Sequence, residues 1–510
     1  MLTFLVRRLL ASLVVLLVAS YIVYVLTAYS GDPLEDLRQS TARNKEYLMQ
    51  QRTEKFNLDV PPPLRYFIWL SGLLRGFIGQ FTLGENILGQ AVTDQVAAAI
   101  GMTLQLITAS LVLAVFIGIT IGITTALRQY STYDYSATFL SFLFFSLPSF
   151  WVAVMLKQYV GIAFNDYLED PVIPPLVIVG VALVAGLVWM VIIGGPVRRR
   201  LIVFASATLA TGAVFTFIAL TDWFNDPSLG IVVIALLGAG VAVLVTALVA
   251  GLRNRKALYT SLVVALVGVA LYYPFQLISL SLTLWSVIAL GVLAIVVGVV
   301  IGWLFAGPDR DQSMRAGGIT ALFVGLLVLL DRFMQSWDIY VGSGTINGRP
   351  IGTVGSATPG LTGSFWIEGI DTFTHLLLPT AGLMLISLAG YSRYSRASLL
   401  EVMNQDYIRT ARAKGLTERT VVVRHAFRNA LIPLTTIVAF DVGGLIGGAV
   451  ITENVFGWSG MGKLFVDALT TVDVNQMMGF FLVTGVVAIT FNLLADLAYS
   501  ALDPRIRVNS

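Results

Sequence analysis

Residues 406–434 read DYIRTARAKGLTERTVVVRHAFRNALIPL. The stretch is basic, amphipathic and helix-prone, lies between two strongly apolar segments, and ends at Ile432-Pro433-Leu434. From Arg393 to Arg428 eight Lys/Arg stand against three Asp/Glu. Tyr407, Ile408, Ala411 and Leu416 give a short helix an apolar side. Gly415, following Ala411, Ala413 and Lys414, is placed to stop that helix at positive φ. Thr417 is placed to cap a second run, with Glu418 near its positive end. Two short helices around a glycine turn make a rigid protrusion. A polar protrusion pinned between two membrane spans is placed to be pushed by a soluble partner. The plainer reading is that these charges only mark the cytoplasmic side of a membrane. That explains their sign but not their ordered pattern. Ala413 to Thr417 also resembles the turn of a DNA-binding helix-turn-helix. The flanking spans and a net charge of only +3 speak against nucleic acid as a partner.

Composition requires a membrane. The chain of 510 residues is 57% hydrophobic and 12% charged, with a mean hydropathy of +0.83, whereas soluble domains carry about 25% charged residues. The absence of cysteine excludes disulfides and thiolate chemistry, and two histidines, His375 and His425, exclude a His-rich metal site. Arg7 and Arg8 precede an apolar run from Leu9 to Thr27. It is longer than the roughly 7–15 residues of a signal-peptide core, so it reads as a retained first span.

A span needs about 20 apolar residues. The candidates are 9–28, 101–126, 136–164, 172–194, 201–221, 229–251, 257–276, 279–305, 317–334, 373–391, 430–451 and 478–500. Helices alone can satisfy their backbone in lipid without closing a barrel, so the expected fold is an all-α polytopic membrane protein of about twelve spans. Arg7/Arg8, Arg128, Arg198–Arg200, Arg253/Arg255/Lys256, Arg310/Arg315, the basic stretch and Arg505/Arg507 fall on one set of connections. The other set holds Asn165-Asp166 with Glu169-Asp170, Asp222 with Asp226, Tyr272–Gln276, and Asp331 with Asp338. The two sets alternate, which places both termini in the cytoplasm.

Several features admit more than one reading. Gly457-Trp458-Ser459-Gly460-Met461-Gly462-Lys463 fits G-x-x-x-x-G-K, but Leu464 stands where a Ser or Thr should reach Mg²⁺ and no strand precedes it. It is read as a turn, and the chain as having no nucleotide site. Gly443, Gly444, Gly447 and Gly448 form overlapping GxxxG patterns, as do Gly118 and Gly122. They suit either generic helix packing or a gate against a sister subunit. Asp441 lies in an apolar span, where an acid is costly; it is a candidate for the translocation path or for pairing with a neighbouring helix.

At this point the chain resembles a known family. Gly415 followed by Ile432-Pro433 is similar to the EAA loop of bacterial ABC importer permeases. The wording Tyr407-Ile408-Arg409-Thr410-Ala411-Arg412-Ala413-Lys414-Gly415-Leu416 resembles the B-type subunits of the dipeptide/oligopeptide branch. Arg409 and Thr410 replace the Glu and Ala of the general motif, while Ala411 and Gly415 match it. Arg7-Arg8-Leu9, Gly31-Asp32-Pro33, Asn57-Leu58-Asp59, Thr103-Leu104-Gln105-Leu106, Ser146-Leu147-Pro148-Ser149-Phe150-Trp151, Leu378-Pro379, Tyr394-Ser395-Arg396-Ala397-Ser398, Glu453-Asn454-Val455-Phe456 with Gly460-Met461-Gly462, and Leu502-Asp503-Pro504-Arg505 extend the likeness. The family has six spans; here about six further helices intervene.

The resemblance implies a type I importer permease core divided by an insertion. Residues 1–30 would be the first helix and 31–100 an external segment docking a binding protein. Residues 101–165 would carry core helices 2–3, 166–340 the inserted helices, 341–372 an external loop, and 373–510 core helices 4–6 with the coupling loop 398–433. It further implies a non-catalytic subunit of the bacterial cytoplasmic (inner) membrane that moves di- or oligopeptides inward by alternating access. Its implied partners are a second homologous permease, two ATPase subunits holding ATP and Mg, an external solute-binding protein and membrane lipid; no cofactor is expected on this chain. The implied ATPase contact is Tyr407, Arg409, Thr410, Ala411, Ala413, Lys414, Gly415, Leu416, Thr417 and Glu418. The alternatives are a stand-alone secondary transporter, which should show repeats and midplane charges, and an importer of the same branch for nickel chelates or glutathione.

Overall fold

A computed structural model describes residues 2–79, 81–305 and 310–502. Within them the protein is helical, with one isolated bridge, Glu85 to Ala91, as its sole extended pairing. Nine described helices are long and apolar enough to cross a membrane, and two bent helix pairs qualify jointly. The helix Phe427–Gly448 covers the remaining predicted span. This is a multi-pass membrane protein.

Two helices form the centre. The second span, Val92–Leu127, has 36 residues, and the tenth, Phe365–Met403, has 39. At 1.5 Å per residue they measure about 54 and 58 Å, well beyond the roughly 30 Å of a hydrocarbon core. Small residues let them touch. A Cβ on Gly118 would stand 2.8 Å from Tyr391 Cβ, and one on Gly122 would overlap the Ser395 side chain. The Gly118/Gly122 pattern therefore serves packing within the chain.

The predicted continuous span 136–164 is corrected: Thr132–Ser146 and Ser149–Leu168 meet at 102°. Pro148 lacks an N–H, and the residue before a proline is driven from helical backbone; Leu147 accordingly sits at φ −78, ψ 132. The connection placed at Tyr272–Gln276, between the predicted spans 257–276 and 279–305, is corrected too. The chain bends there by only 42° and stays helical to Ser279. The next helix starts at Leu284 behind a capping box of Thr283 and Ser286.

The inserted helices form two groups. Pro175–Ile193 and Val197–Leu220 make a hairpin, turned by Gly194 and Gly195 at positive φ and joined to the core through Arg128 Nη1, which donates to Ile192 O at 2.7 Å. The helices Gly230–Val249, Arg255–Ala270, Leu284–Leu304 and Arg310–Gln335 form a bundle. Gly298 and Gly317 let two of them approach until a Cβ on Gly298 would lie 2.5 Å from Gly317 O. Asp331, fully buried, organises one end of the bundle. Its carboxylate accepts from Tyr272 Oη and Gln335 Nε2 at 2.6 Å, and from the amides of Leu229 and Gly230 at 2.6 and 3.2 Å.

At the same end, residues 31–100 fold into short helices including Lys45–Phe56 and Pro62–Leu74. Tyr66 and Trp69 pack on Tyr24, and Ser20 Oγ lies 2.7 Å from Tyr66 Oη.

Candidate functional site

The polar stretch of 406–426 builds an arm between the tenth and eleventh spans. Its first helix is Asp406–Ala413, entered through Gln405 in extended conformation, with Asp406 in the first turn and Arg412 in the last. Ile408 and Ala411 fall three residues apart on one face. They bury against Ala126 of the second span, Leu399 of the tenth, and Val421, Ala426 and Ala430. Gly415 ends the helix at φ +76. Its amide donates to Arg412 O at 2.9 Å and that of Leu416 to Ala411 O at 3.4 Å, a Schellman closure. Thr417 caps the next turn, with its Oγ1 accepting from the Thr420 amide.

A clamp spans the turn. Arg412 Nη2 and Nε reach Glu418 Oε1 and Oε2 at 2.7 and 3.2 Å. The Arg412 hydrogen bond holds the Glu418 carboxyl below its ordinary pKa, and the reciprocal bond raises that of Arg412. The base of the arm is tied by Ser398 Oγ donating to Ala430 O at 2.9 Å and by Asn429 Nδ2 donating to Tyr407 Oη at 3.0 Å.

Of the ten residues assigned to the arm's contact, Ala411 alone is buried, as part of the footing. Tyr407 and Leu416 remain 43% and 40% exposed. Arg409, Thr410, Ala413, Lys414, Gly415, Thr417 and Glu418 also face outward. The structure thus brings nine of them to one exposed knob on a buried apolar foot. Sequence reading missed the π-helical turn Val421–Ala426 that joins the arm to the eleventh span. The run Val421-Val422-Val423 was its available signal, since β-branched residues crowd a regular helix.

The gate candidates divide. The surroundings of Gly443, Gly444, Gly447 and Gly448 lie outside the described residues. Asp441 is half-buried on the helix Phe427–Gly448. The fully buried Tyr391 approaches its carboxylate without a hydrogen bond of good geometry. Asp441 thus faces the tenth helix.

At the opposite end from the arm, the chain folds back through Val450–Phe456 and Met461–Thr471 around Glu453, which is fully buried. Glu453 accepts from Thr103 Oγ1 at 2.7 Å and from the amides of Gly462 and Lys463 at 2.6 and 3.2 Å. Thr103 Oγ1 in turn accepts from the Met461 amide at 2.7 Å. The amides that a P-loop would offer to phosphate are therefore taken by a carboxylate of the same chain. A Cβ on Gly462 would lie 2.9 Å from Glu453 Oε2, so the glycine serves close approach. Lys157, in the π-helical turn Leu156–Ile162 of the broken third span, donates to Val455 O at 2.9 Å. Sequence reading passed over this lysine; its signal was a lone charge in an apolar run.

Comparison with known proteins places these parts together. The family model described as binding-protein-dependent transport system inner membrane component matches residues 341–508, and its N-terminal companion matches residues 1–111. The chain belongs to this family. The two matches carry the arm, the Glu453 fold-back and the first segment, and leave out 112–340. The oligopeptide transport system permease protein OppB of Mycobacterium tuberculosis (strain ATCC 25618 / H37Rv) is 27% identical over 506 residues, 99% of both chains. A putative peptide permease of Brucella ovis is 40% identical over 223 residues, 42% of this chain and 65% of that protein. The dipeptide permease DppB of Escherichia coli (strain K12) is 46% identical over 138 residues, 27% of this chain and 41% of that protein. This permease thus shares its whole length, insertion included, with the mycobacterial relative. Its similarity to the other two covers under half of its chain.

Proposed function

We propose that this permease forms the translocation half-channel of an ATP-driven peptide importer. It would pair with a second permease, receive substrate from an external binding protein on residues 31–100, and be driven by two ATPase subunits through Tyr407–Glu418. The observation that carries this reading is the arm itself. It is exposed at its tip, closed by a glycine turn and an ion pair, and footed on the second, tenth and eleventh helices. A push on the tip is then transmitted as displacement of those helices, because a packed foot does not absorb it. The arm shifts the inward/outward equilibrium only if an ATPase groove grips it differently in the two states. ATP closure would draw two such arms together, rock the helices, and open the far side. The termini and the arm lie in the cytoplasm on this reading, following the basic residues.

Peptides are proposed as cargo from the names of the relatives; nickel chelates or glutathione are the alternative cargoes. The reading is tested by uptake of labelled di- and tripeptides into cells carrying Gly415→Pro, with assembly followed by co-purification. Loss of uptake with the complex intact supports it, and normal uptake contradicts it.

A further inference from the structure

A cavity of about 200 Å³ lies between Thr132–Ser146, the first half of the broken third span, and the tenth helix. Arg393 and Arg396 both belong to its own lining. They share it with the hydroxyls of Thr138, Ser141 and Ser392 and with the rings of Phe142 and Phe145. The cavity is at the arm's end of the molecule. Arg393 lies about 15 Å along the axis from Met403, the last residue of the tenth helix. It also follows closely on the apolar run 373–391, at the level where hydrocarbon gives way to headgroups.

The charges of this lining do not balance. Arg396 Nη2 donates to Asp134 Oδ2 at 2.9 Å, but Asp134 is buried and the same oxygen already accepts from the Tyr130 amide at 3.0 Å. Arg396 Nε is buried without a hydrogen bond. Arg393 has no carboxylate partner among the described residues. Its guanidinium lies 4.7 Å from the centroid of Phe145, in the lining, and 5.7 Å from that of Tyr394. Two cations thus stand against one carboxylate. A phosphate would complete the set, because a guanidinium fork holds it through two parallel hydrogen bonds. The apolar part of the lining indicates what carries that phosphate. Phe142 and Phe145 are exposed beside the cations, as are Phe139, Leu140 and Leu143 on the same half-span. That half-span also contacts the inserted helix Pro175–Ile193, whose hairpin partner Val197–Leu220 has no buried residue. The cavity therefore borders the flank of the molecule that lipid surrounds. Basic pockets between spans at headgroup level are sites for anionic lipids.

We propose that this cavity binds an anionic phospholipid of the leaflet on the arm's side, with its phosphate held by Arg393 and Arg396 and the start of an acyl chain laid along Phe142 and Phe145. Leu400 lines the cavity and also packs on the apolar foot of the arm. The lipid then touches the footing through which the arm is attached. The site does not depend on which cargo the permease moves.

The test is a lipid titration of the full complex in mild detergent, read by native mass spectrometry, with phosphatidylglycerol and phosphatidylcholine as probes. Wild type is compared with Arg393→Gln, which removes the unpaired cation, and with Ala397→Trp, which fills the cavity from an exposed lining position. Wild type should bind phosphatidylglycerol about tenfold or more tightly than phosphatidylcholine. Arg393→Gln should lose that preference, and Ala397→Trp should bind both lipids weakly. In native membranes, Phe142→p-benzoylphenylalanine should give a lipid adduct on illumination. A melting curve matching wild type qualifies each variant; where one does not fold, the adduct at position 142 decides. The proposal is overturned by equal affinity of wild type for the two lipids, by an unchanged preference in either folded variant, or by an adduct with the second permease or with labelled peptide in place of lipid.

Discussion

The permease core and the inserted module are both apolar helices, yet they are built on opposite principles. Half of the most apolar window of the tenth helix is buried by neighbours, and none of that of Val197–Leu220. Core helices are broken at Leu147-Pro148, run through Pro379 and Pro433, and carry π-helical turns. They are joined across long sequence distances by polar side chains: Thr103 with Glu453, Lys157 with Val455, and Arg396 with Asp134. Among the described residues the inserted bundle has a comparable node at Asp331 and a shorter-range bond from Thr246 Oγ1 to Ser261 Oγ, and its helices otherwise pack through apolar and small side chains. Irregular helices tied by hydrogen bonds can hold two arrangements of similar energy, as a gate requires. On the function proposed above, the core would be the moving part and the insertion a static flank.

The sharpest test of this contrast is Gly415. Its φ of +76 disfavours any side chain by about 1–2 kcal/mol and excludes proline outright. Gly415→Pro should abolish uptake, and Gly415→Ala should lower it severalfold, both with normal assembly; peptide uptake and co-purification measure this. Next in size, Glu453→Ala leaves three donors unsatisfied in a buried site, and should destabilise the core by about 3 kcal/mol or more. Thermal melting of the purified complex reads the loss.

Asp331→Asn is the matching change in the insertion. It weakens a carboxylate that accepts four hydrogen bonds and should cost about 1–3 kcal/mol. Melting should fall while the transport rate per folded complex stays at the wild-type value; a loss of rate would show that the insertion moves with the gate. The smallest effect is the arm's ion pair. Glu418 is held below its ordinary pKa, so its contribution is full at neutral pH and disappears as pH falls through that lowered value. Because the pair is exposed it is worth below about 1 kcal/mol. Glu418→Gln should leave melting near neutral pH almost unchanged and remove its acid-side dependence on this group, measured as melting against pH.

Much of this contrast was legible in the residues. Length and hydropathy marked the spans, and the basic stretch with Gly415 and Thr417 marked the arm, because helix stops and caps are local chemistry. What could not be read were contacts set by packing at long range. Nothing local ties Thr103 to Glu453, 350 positions apart, or gives Asp331 its partners on two other segments. Pro148 was visible, yet whether a proline kinks a span or turns it through 102° depends on what packs beside it. The extension of the bundle helix past Pro274 was missed for a related reason: proline tolerates the first turn of a helix, and the segment Tyr272–Ser279 starts just before it.

The most direct test of the arm as the input for ATP-driven motion uses the chain's lack of cysteine. A single cysteine is placed at the tip, Ala413→Cys, and for comparison at the opposite end, Asn225→Cys, and a short bifunctional reagent is applied to native membranes. The account predicts that the Ala413 position cross-links to an ATPase subunit, with a yield that changes when ATP is trapped, while the Asn225 position does not. No ATPase adduct at the tip in a transport-active complex, or the same yield in every nucleotide state, would contradict it.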